Sequence, residues 1–265
     1  MLSMGHSELL FLVDVDGVVT DEHARVDATV VRQLATFIGE GAGVAFVTGR
    51  SRSWLESQLV PLLAASRPTS IHAAVLAAEM GAVRLVEGEW HISEEHAVVE
   101  PARSELKLLA NQTRYATLLE WDRTKEATAT FEALHDPDVP GHAERAREAL
   151  AALMDEVRPI ATARGYRAAL STYALDVLTP SLSKAVGAQF AIDTLGGGDG
   201  FKRVLVFGDS VGDMEMARTA GARLDVPVTF FWLGRGAPPG QTDGIEVRSA
   251  VEPHAPGTRQ LLGEF

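Results

Sequence analysis

Two aspartates separated by one residue, Asp14 and Asp16, end the first apolar segment of the chain. The five residues before them, at 9–13, are all apolar, which is typical of a strand buried on both faces of a parallel sheet. Open α/β sheets bind their ligands beside the carboxyl ends of such strands. Paired carboxylates at that edge can hold a cation or transfer protons, although an acidic turn that only closes a strand has the same pattern.

Reactive side chains also follow two later apolar segments. Thr48 comes directly after one of them, and Asp209 follows the other after a single glycine. Because the carboxyl ends of parallel strands share one edge of the sheet, these side chains are expected to converge on the first aspartate pair. Lys184 and Asp213, near the starts of two predicted helices, are expected at the same edge.

Carboxylates this close together need a cation to offset their charge. A hard divalent ion with oxygen ligands fits best, and Mg²⁺ is the usual one beside phosphate. An aspartate held there can attack phosphorus, and the aspartate two residues later can protonate the leaving oxygen and then activate water. The Thr48 hydroxyl, the Lys184 ammonium and backbone N–H groups around Gly17 can hold the phosphoryl oxygens. These parts suffice for hydrolysis of a phosphomonoester.

Together the four segments resemble the motifs of haloacid-dehalogenase-superfamily phosphatases. Residues 14–18 (Asp-Val-Asp-Gly-Val) resemble the first motif and 48–50 (Thr-Gly-Arg) the second. Lys184 resembles the third motif, and residues 208–213 (Gly-Asp-Ser-Val-Gly-Asp) resemble the fourth. The four motifs occur in the family's order and at its spacing.

This resemblance implies a role for each residue of the set. Asp14 would be the nucleophile and Asp16 the general acid/base. Mg²⁺ would be held by Asp14, the carbonyl of Asp16 and Asp209, with Asp213 in support. The phosphoryl group would lie against a set that overlaps this one: Asp16, Gly17, Thr48, Gly49 and Lys184.

Three short segments, at 79–82, 175–178 and 257–262, resemble trehalose-6-phosphate and sucrose-phosphate phosphatases in particular. The resemblance of these segments implies that the substrate is a sugar phosphate or a similar small phosphorylated metabolite. Three positions depart from the superfamily motifs: Val18 replaces a frequent threonine, Gly212 a common asparagine, and Ala185, after Lys184, a frequent glycine. None of these changes removes a catalytic group.

Strand and helix patterns alternate around the motifs, which predicts parallel βαβ units. In these units, strands are expected at 9–13, at 44–47, within 71–76, at 204–207 and, as the last one, at 228–233. Helices are expected at 27–37, from Ser51 or Ser53 through Leu62, at 183–195 and at 213–220, the last of them ended by Gly221. In the intervening part, strands are expected at 82–92 as a pair, 115–121, 127–134, 166–170 and 174–178, and helices at 101–112 and 142–157.

The expected fold class is therefore α/β, a Rossmann-like three-layer core around a parallel sheet. Residues 1–83 and 181–265 would form this catalytic core, and residues 84–180 an inserted α+β unit. The insert resembles the C2, type IIB cap of the same superfamily. The glycines at 196–198, expected to end the helix before them, lie partly outside the residues that the structure describes.

The insert is expected to close over the active edge and to contact the leaving group. Its run at 121–126 (Trp-Asp-Arg-Thr-Lys-Glu) has two interpretations. One is a charged hairpin turn. In the other, Glu120, Arg123 and Lys125 contact the sugar or its phosphate and determine substrate specificity.

The composition of the chain limits the kinds of molecule that the protein can bind and the compartment in which it is expected. The formal net charge of −12 opposes binding of nucleic acid or anionic membranes. The chain contains no cysteine, which excludes disulfides and thiolate metal sites and is compatible with a reducing cytoplasm. No apolar run approaches the ~18 residues of a membrane helix, and no basic segment precedes the first apolar run. We therefore predict a cytoplasmic protein.

The predicted function is that of a Mg²⁺-dependent phosphatase for a small phosphorylated substrate. A phosphosugar mutase of the same cap type shares the aspartate pair. Members of that family, however, have a segment similar to Gly-Gly-Ser at the position where this chain has Thr-Gly-Arg, at 48–50. A signalling receiver domain also uses aspartate, threonine, lysine and Mg²⁺, but the chain length, the insert and Asp16 oppose it. A non-catalytic binding protein is a third alternative. The sequence does not determine the oligomeric state.

Overall fold

The structure, a computed structural model, describes residues 5–265 apart from 111, 113, 135, 137, 172, 197–199, 239, 241 and 243. The chain divides into two compact units: Met1–His91 with Ser183–Phe265, and Ile92–Leu182. Within the described ranges, no helix has the length and apolar character needed to cross a bilayer.

In the described part of the chain, the strands are β1 (Leu9–Val13), β2 (Gly43–Val47), β3 (Val75–Ala78), β4 (Val83–Val86), β5 (Glu89–Ile92), β6 (Leu119–Trp121), β7 (Ala129–Ala133), β8 (Arg167–Leu170), β9 (Ala174–Leu178), β10 (Arg203–Gly208), β11 (Val228–Trp232) and β12 (Glu246–Ser249). The α-helices there are α1 (Ala28–Gly39), α2 (Arg52–Trp54), α3 (Val60–Ser66), α4 (Ser70–Ala73), α5 (Ala102–Ala110), α6 (His142–Ala163), α7 (Lys184–Thr194), α8 (Met214–Arg223) and α9 (His254–Leu262).

The larger unit is built on a sheet whose described strands run in the order β12-β11-β10-β1-β2-β3-β4-β5. The strands from β12 to β3 are parallel, and β4 is antiparallel to β3. All five residues of β1 are buried, and Phe11 stacks on Phe37 and Phe207, at 5.0 and 6.3 Å between ring centroids. Because the chain continues from β1 to one side and from β10 to the other, the sheet has its topological switch point here, where such folds bind ligands.

The helix predicted after Ser51 is interrupted by a π-helical turn, Leu55–Leu59, between α2 and α3. Ser51 begins it, since its side chain accepts a hydrogen bond from the backbone of Trp54. Pro61 has no N–H, and its ring would collide with the carbonyl four residues earlier. The backbone instead widens, and the Val60 N–H donates to the Leu55 carbonyl.

The smaller unit is an antiparallel sheet in the order β6-β7-β9-β8. Its core includes Phe131 and Val177 from the sheet, Leu106 from α5 and Leu153 from α6. Helix α6 continues beyond the predicted end at 157 to Ala163, although Pro159 lies inside it. Ala161 is buried on the same apolar face, so tertiary packing outweighs the cost of the proline.

Several sequence expectations differ from the structure. The hairpin of β4 and β5, most of which was assigned to the insert, belongs to the larger sheet. The smaller compact unit accordingly comprises Ile92–Leu182, whereas residues 84–180 were expected. Strand β3 begins at Val75 because residues 70–73 form a short helix. Gly221 lies inside α8 and does not end it. A further strand, β12, follows the strand expected to be last, and α9 was not predicted.

Candidate active site

Three parallel strands deliver the predicted polar residues to one edge of the larger sheet. Asp14 directly follows β1, Thr48 directly follows β2, and Asp209 directly follows β10. The registers of β1 with β10 and with β2 place these strand ends side by side. The Asp14 N–H donates to the carbonyl of Phe207 at 3.0 Å, which ties the first loop to the end of β10. The predicted convergence is therefore present in the fold.

Lys184 is the first residue of α7, and the side chain of Ser183 caps this helix by accepting from the Ala185 N–H. The Lys184 ammonium lies 2.7 Å from Oδ1 of Asp14 and donates to Oδ1 of Asp213. Both carboxylates are buried, Asp213 completely. A buried charge is tolerated only when paired, so this lysine is electrostatically central to the site.

Asp213 organises the loop that carries Asp209. Its Oδ2 accepts from the Asp209 N–H at 3.0 Å, from the Ser210 N–H at 2.8 Å and from the Ser210 hydroxyl at 2.8 Å. A Cβ at Gly208 would lie 2.2 Å from the Cβ of Asp213, so only glycine permits this approach. With Oδ1 facing Lys184 and Oδ2 holding the loop, Asp213 is placed to support the other carboxylates.

Burial and crowding perturb the carboxylates. Burial raises the pKa of Asp14 well above its ordinary value, and the carboxylates of Asp213, Asp16 and Asp209 add to this, while Lys184 opposes it. Burial also raises the pKa of Asp209 to about 6, with Asp213 adding to the shift and Lys184 opposing it. Although burial lowers the pKa of Lys184, its two carboxylate partners outweigh this and raise it, so the ammonium stays charged.

These residues fit a hard divalent cation. Asp14, Asp209 and Asp213 each offer a carboxylate oxygen, and these oxygens lie within 4.8 Å of one another. Three carboxylates face the single charge of Lys184, which leaves two negative charges for a divalent ion to offset. All the donors are oxygens, the ligands that Mg²⁺ and Ca²⁺ prefer. The Asp16 carboxylate, included in the predicted metal set through its backbone carbonyl, is not part of this described cluster.

The raised pKa of Asp209 predicts a pH effect on stability in buffer kept free of divalent cations. The folded state binds this proton more tightly than the unfolded chain, whose aspartates have a pKa of about 3.9. Its contribution to stability is therefore complete below about pH 4 and is lost as the pH rises through about 6. Melting temperatures of the wild type and Asp209→Asn should be compared at pH 4 to 7. The wild type should lose stability relative to the variant as pH rises, and parallel curves would contradict this.

Asp16 lies in a different environment from Asp14. Its carboxylate pairs with the guanidinium of Arg50, with 2.7 Å between Oδ1 and Nη2. Arg50 belongs to the second motif, but its side chain had no role in the sequence prediction. Its position two residues after Thr48, in a loop at the same sheet edge, is the signal that could have identified it.

Gly17 and Thr48 complete the innermost part of the site. Gly17 has a φ of +66°, and a Cβ there would lie 2.0 Å from Oδ2 of Asp209, so this position requires glycine. Its N–H donates to the Thr20 hydroxyl at 3.0 Å. Thr48 is completely buried, and its Oγ1 accepts from the Arg50 N–H at 3.1 Å, which leaves the hydroxyl proton to donate. Gly49 has open space where a Cβ would be.

A turn at Glu79–Gly81, also missed from the sequence as a supporting element, holds the second motif in place. All three of its residues have a positive φ. The Met80 N–H donates to the carbonyl of Thr48 at 2.7 Å, and the Glu79 N–H to that of Arg50 at 2.9 Å. A Cβ on Gly81 would lie 2.5 Å from Cα of Gly187 in α7. The same turn therefore braces both the Thr48 loop and the helix that begins at Lys184.

The three predicted specificity residues lie in the smaller unit. Glu120 is on β6, opposite Glu132 of β7, and is exposed. Arg123 and Lys125 are in the segment between β6 and β7, where Arg123 is exposed and Lys125 is buried. The run at 121–126 is thus the connection of an antiparallel pair, as the hairpin interpretation expected. That these three residues contact a substrate stays a prediction.

Solved structures share this architecture. A protein from Thermoplasma acidophilum is 17% identical, with a TM-score of 0.64 and 96% of each chain covered. A haloacid dehalogenase-like hydrolase from Bacteroides thetaiotaomicron is 13% identical, with a TM-score of 0.61 and coverage of 97% of this chain and 98% of that one. Trehalose-6-phosphate phosphatase from Aspergillus fumigatus is 19% identical, with a TM-score of 0.53 and coverage of 97% and 93%. At these identities the likeness shows the fold alone.

The sequence itself matches one family model. No curated protein sequence matches the chain. The model of the haloacid dehalogenase-like hydrolases, however, matches residues 9–221, which include all four motifs and the segment between the second and third. The match confirms the superfamily resemblance drawn from Asp14, Thr48, Lys184 and Asp209. The chain belongs to the haloacid dehalogenase-like hydrolase family.

Proposed function

We propose that this protein is a Mg²⁺-dependent phosphatase that hydrolyses phosphomonoesters through an aspartyl-phosphate on Asp14. One observation carries the proposal. The Asp14 carboxylate is buried at the end of the central strand, 2.7 Å from the Lys184 ammonium and beside Asp209 and Asp213. Such a group is a nucleophile held next to positive charge, as attack on a phosphate dianion requires.

In the first step, an Asp14 oxygen forms a bond to phosphorus while the bond from phosphorus to the leaving oxygen breaks. Asp16 gives its proton to that oxygen, and the alcohol departs. In the second step, water gives a proton to Asp16 and attacks phosphorus, the bond to Asp14 breaks, and inorganic phosphate leaves. Both aspartates return to their starting states, so the cycle balances.

Other residues of the site act on the phosphoryl oxygens. The Lys184 ammonium and the Thr48 hydroxyl can donate to them, as can the backbone N–H groups of Asp16 and Gly49. The N–H groups of Gly17 and Thr48 already donate to the Thr20 hydroxyl and the Ala77 carbonyl. Bound Mg²⁺, held by Asp14, Asp209 and the carbonyl of Asp16, would supply positive charge that favours ionised Asp14 and offsets the charge of the phosphate. Asp213 keeps Asp209 and Lys184 in position.

The proposed substrate class is a sugar phosphate or a similar small polar metabolite. The support is the resemblance of short segments to sugar-phosphate phosphatases and a fold shared with a trehalose-6-phosphate phosphatase. The groups of the larger unit act on phosphate and metal, which all phosphomonoesters share. We therefore assign the choice of sugar to the smaller unit, with Glu120, Arg123 and Lys125 as the candidate residues. A cytoplasmic location stays a prediction from composition.

The test is phosphate release from a panel of sugar phosphates, followed by alanine variants at Glu120, Arg123 and Lys125. Leaving a buried polar group unpaired costs about 1–3 kcal/mol, so the loss of each true contact should lower kcat/KM for the best sugar phosphate by about 5- to 160-fold. Hydrolysis of 4-nitrophenyl phosphate should change little.

Lys184→Ala is the matched control, because it should damage both activities. Equal losses on both substrates in the smaller-unit variants would show that these residues serve folding instead of sugar recognition. Formation of an isomerised sugar phosphate without phosphate release would favour a mutase over the proposed phosphatase.

A further inference from the structure

Asp16 is unusual among the carboxylates of the site because it is both partly exposed and tightly held. Its side chain is 44% exposed, whereas Asp14 and Asp213 are buried. An exposed carboxylate on a loop normally rotates freely. Here Nε of Arg50 donates to Oδ1 at 3.1 Å and to Oδ2 at 3.0 Å, and Nη2 donates to Oδ1 at 2.7 Å. Arginine forms this fork because its guanidinium is planar and carries donors along one side.

Arg50 is itself fixed at both ends. Its backbone N–H donates to the Thr48 hydroxyl at 3.1 Å, and its carbonyl accepts from the Glu79 N–H at 2.9 Å. Its guanidinium lies over the ring of Trp54, 5.1 Å from the centroid. Stacking on an aromatic ring limits the rotation of the guanidinium plane and so defines the direction of the fork.

We propose that Arg50 is a positioning residue that holds Asp16 in the orientation needed to transfer a proton to the leaving oxygen. The proposal rests on the phosphatase function above and adds a residue to it. The two oxygens of Asp16 are not equivalent, since Oδ1 accepts two hydrogen bonds from Arg50 and Oδ2 accepts one. Oδ2 can therefore carry the proton and deliver it while Oδ1 stays anchored to Nη2.

This role makes a prediction about leaving groups. Proton donation matters most when the leaving oxygen is strongly basic and matters little when it is weakly basic. Benzyl phosphate and 4-nitrophenyl phosphate are similar in size but differ in this property. The ratio kcat/KM reports the steps up to departure of the alcohol, which are the steps that use Asp16 as an acid.

The experiment compares the wild type with Arg50→Ala and Arg50→Lys on both substrates. General acid–base assistance contributes about 10²–10⁴-fold, and part of it should be lost when the carboxylate is released. We expect kcat/KM for benzyl phosphate to fall on the order of 10–100-fold and that for 4-nitrophenyl phosphate to fall less than about threefold. The lysine variant should show the same asymmetry, because an ammonium keeps the charge but cannot form the fork.

Arg52→Ala is the matched control. Arg52 is two residues away in the same segment, but it pairs with Glu56 and lies over Trp90. Both activities should be unchanged in this variant, and melting temperatures should be recorded for all variants.

Equal losses on the two substrates in Arg50→Lys would overturn the proposal and would indicate that Arg50 binds the phosphoryl group or supports the fold. Full activity of Arg50→Lys on benzyl phosphate would also overturn it. If the wild type released no phosphate from these two substrates or from the sugar-phosphate panel, the phosphatase function would fail and this inference with it.

Discussion

Asp14→Asn is expected to abolish phosphate release while the protein stays folded. The amide has nearly the same size and shape as the carboxylate, but its oxygen is too weak a nucleophile to attack phosphorus. Lys184 would keep Asp213 as a partner. Because burial raises the pKa of Asp14, the charged form of this residue is the unfavourable one, and a neutral side chain should cost little stability.

The measurement is single-turnover and steady-state phosphate release, with circular dichroism and a melting temperature to confirm folding. Mass spectrometry of the wild type, quenched during turnover, should detect a covalent phosphate that is missing in Asp14→Asn. Asp16→Asn is the informative comparison. It should slow both steps, on the order of 10²–10⁴-fold, without removing the nucleophile. Near-normal phosphate release by Asp14→Asn would refute the nucleophile assignment.

Removal of divalent cations is expected to have an effect of similar size. Chelation should abolish activity, Mg²⁺ should restore it, and Ca²⁺ should bind without supporting turnover. Calcium takes six to eight oxygen ligands at longer distances than magnesium, so it can occupy a carboxylate cluster and still fail to substitute for the smaller ion. Three carboxylates against one lysine make some cation necessary for a fully ionised site.

A second readout does not depend on turnover. Mg²⁺ at about 100 times its dissociation constant should stabilise the folded protein by about 2.7 kcal/mol, and the melting temperature should rise accordingly. The same addition should have little effect on Asp209→Asn, which lacks one carboxylate of the cluster. Full activity after exhaustive chelation, or an equal rise in melting temperature for the variant, would exclude this metal site.

The sequence alone was sufficient to predict the central strands and the convergence of the site residues on one edge of the sheet. Leu9–Val13 is a strand buried along its whole length, and such segments have a continuous apolar pattern that differs from the helices around them. Once these strands are parallel, Asp14, Thr48 and Asp209 must share one edge whatever the strand order. The start of α7 was equally predictable: a helix was expected from residue 183, and Lys184 is its first residue in the structure.

Only the tertiary structure decided how the charged groups pair. Sequence spacing placed Asp16 and Arg50 at one edge, but the fork between them depends on the side-chain directions of two loops that are 34 residues apart. The support of both motifs by the turn at Glu79–Gly81 depends on close approach of Gly81 and Gly187, which no local pattern reports. The hairpin of β4 and β5 likewise joined the larger sheet because antiparallel pairing with β3 was available there. Local sequence determines what a segment can form, whereas its partners are determined by which surfaces the rest of the chain leaves open.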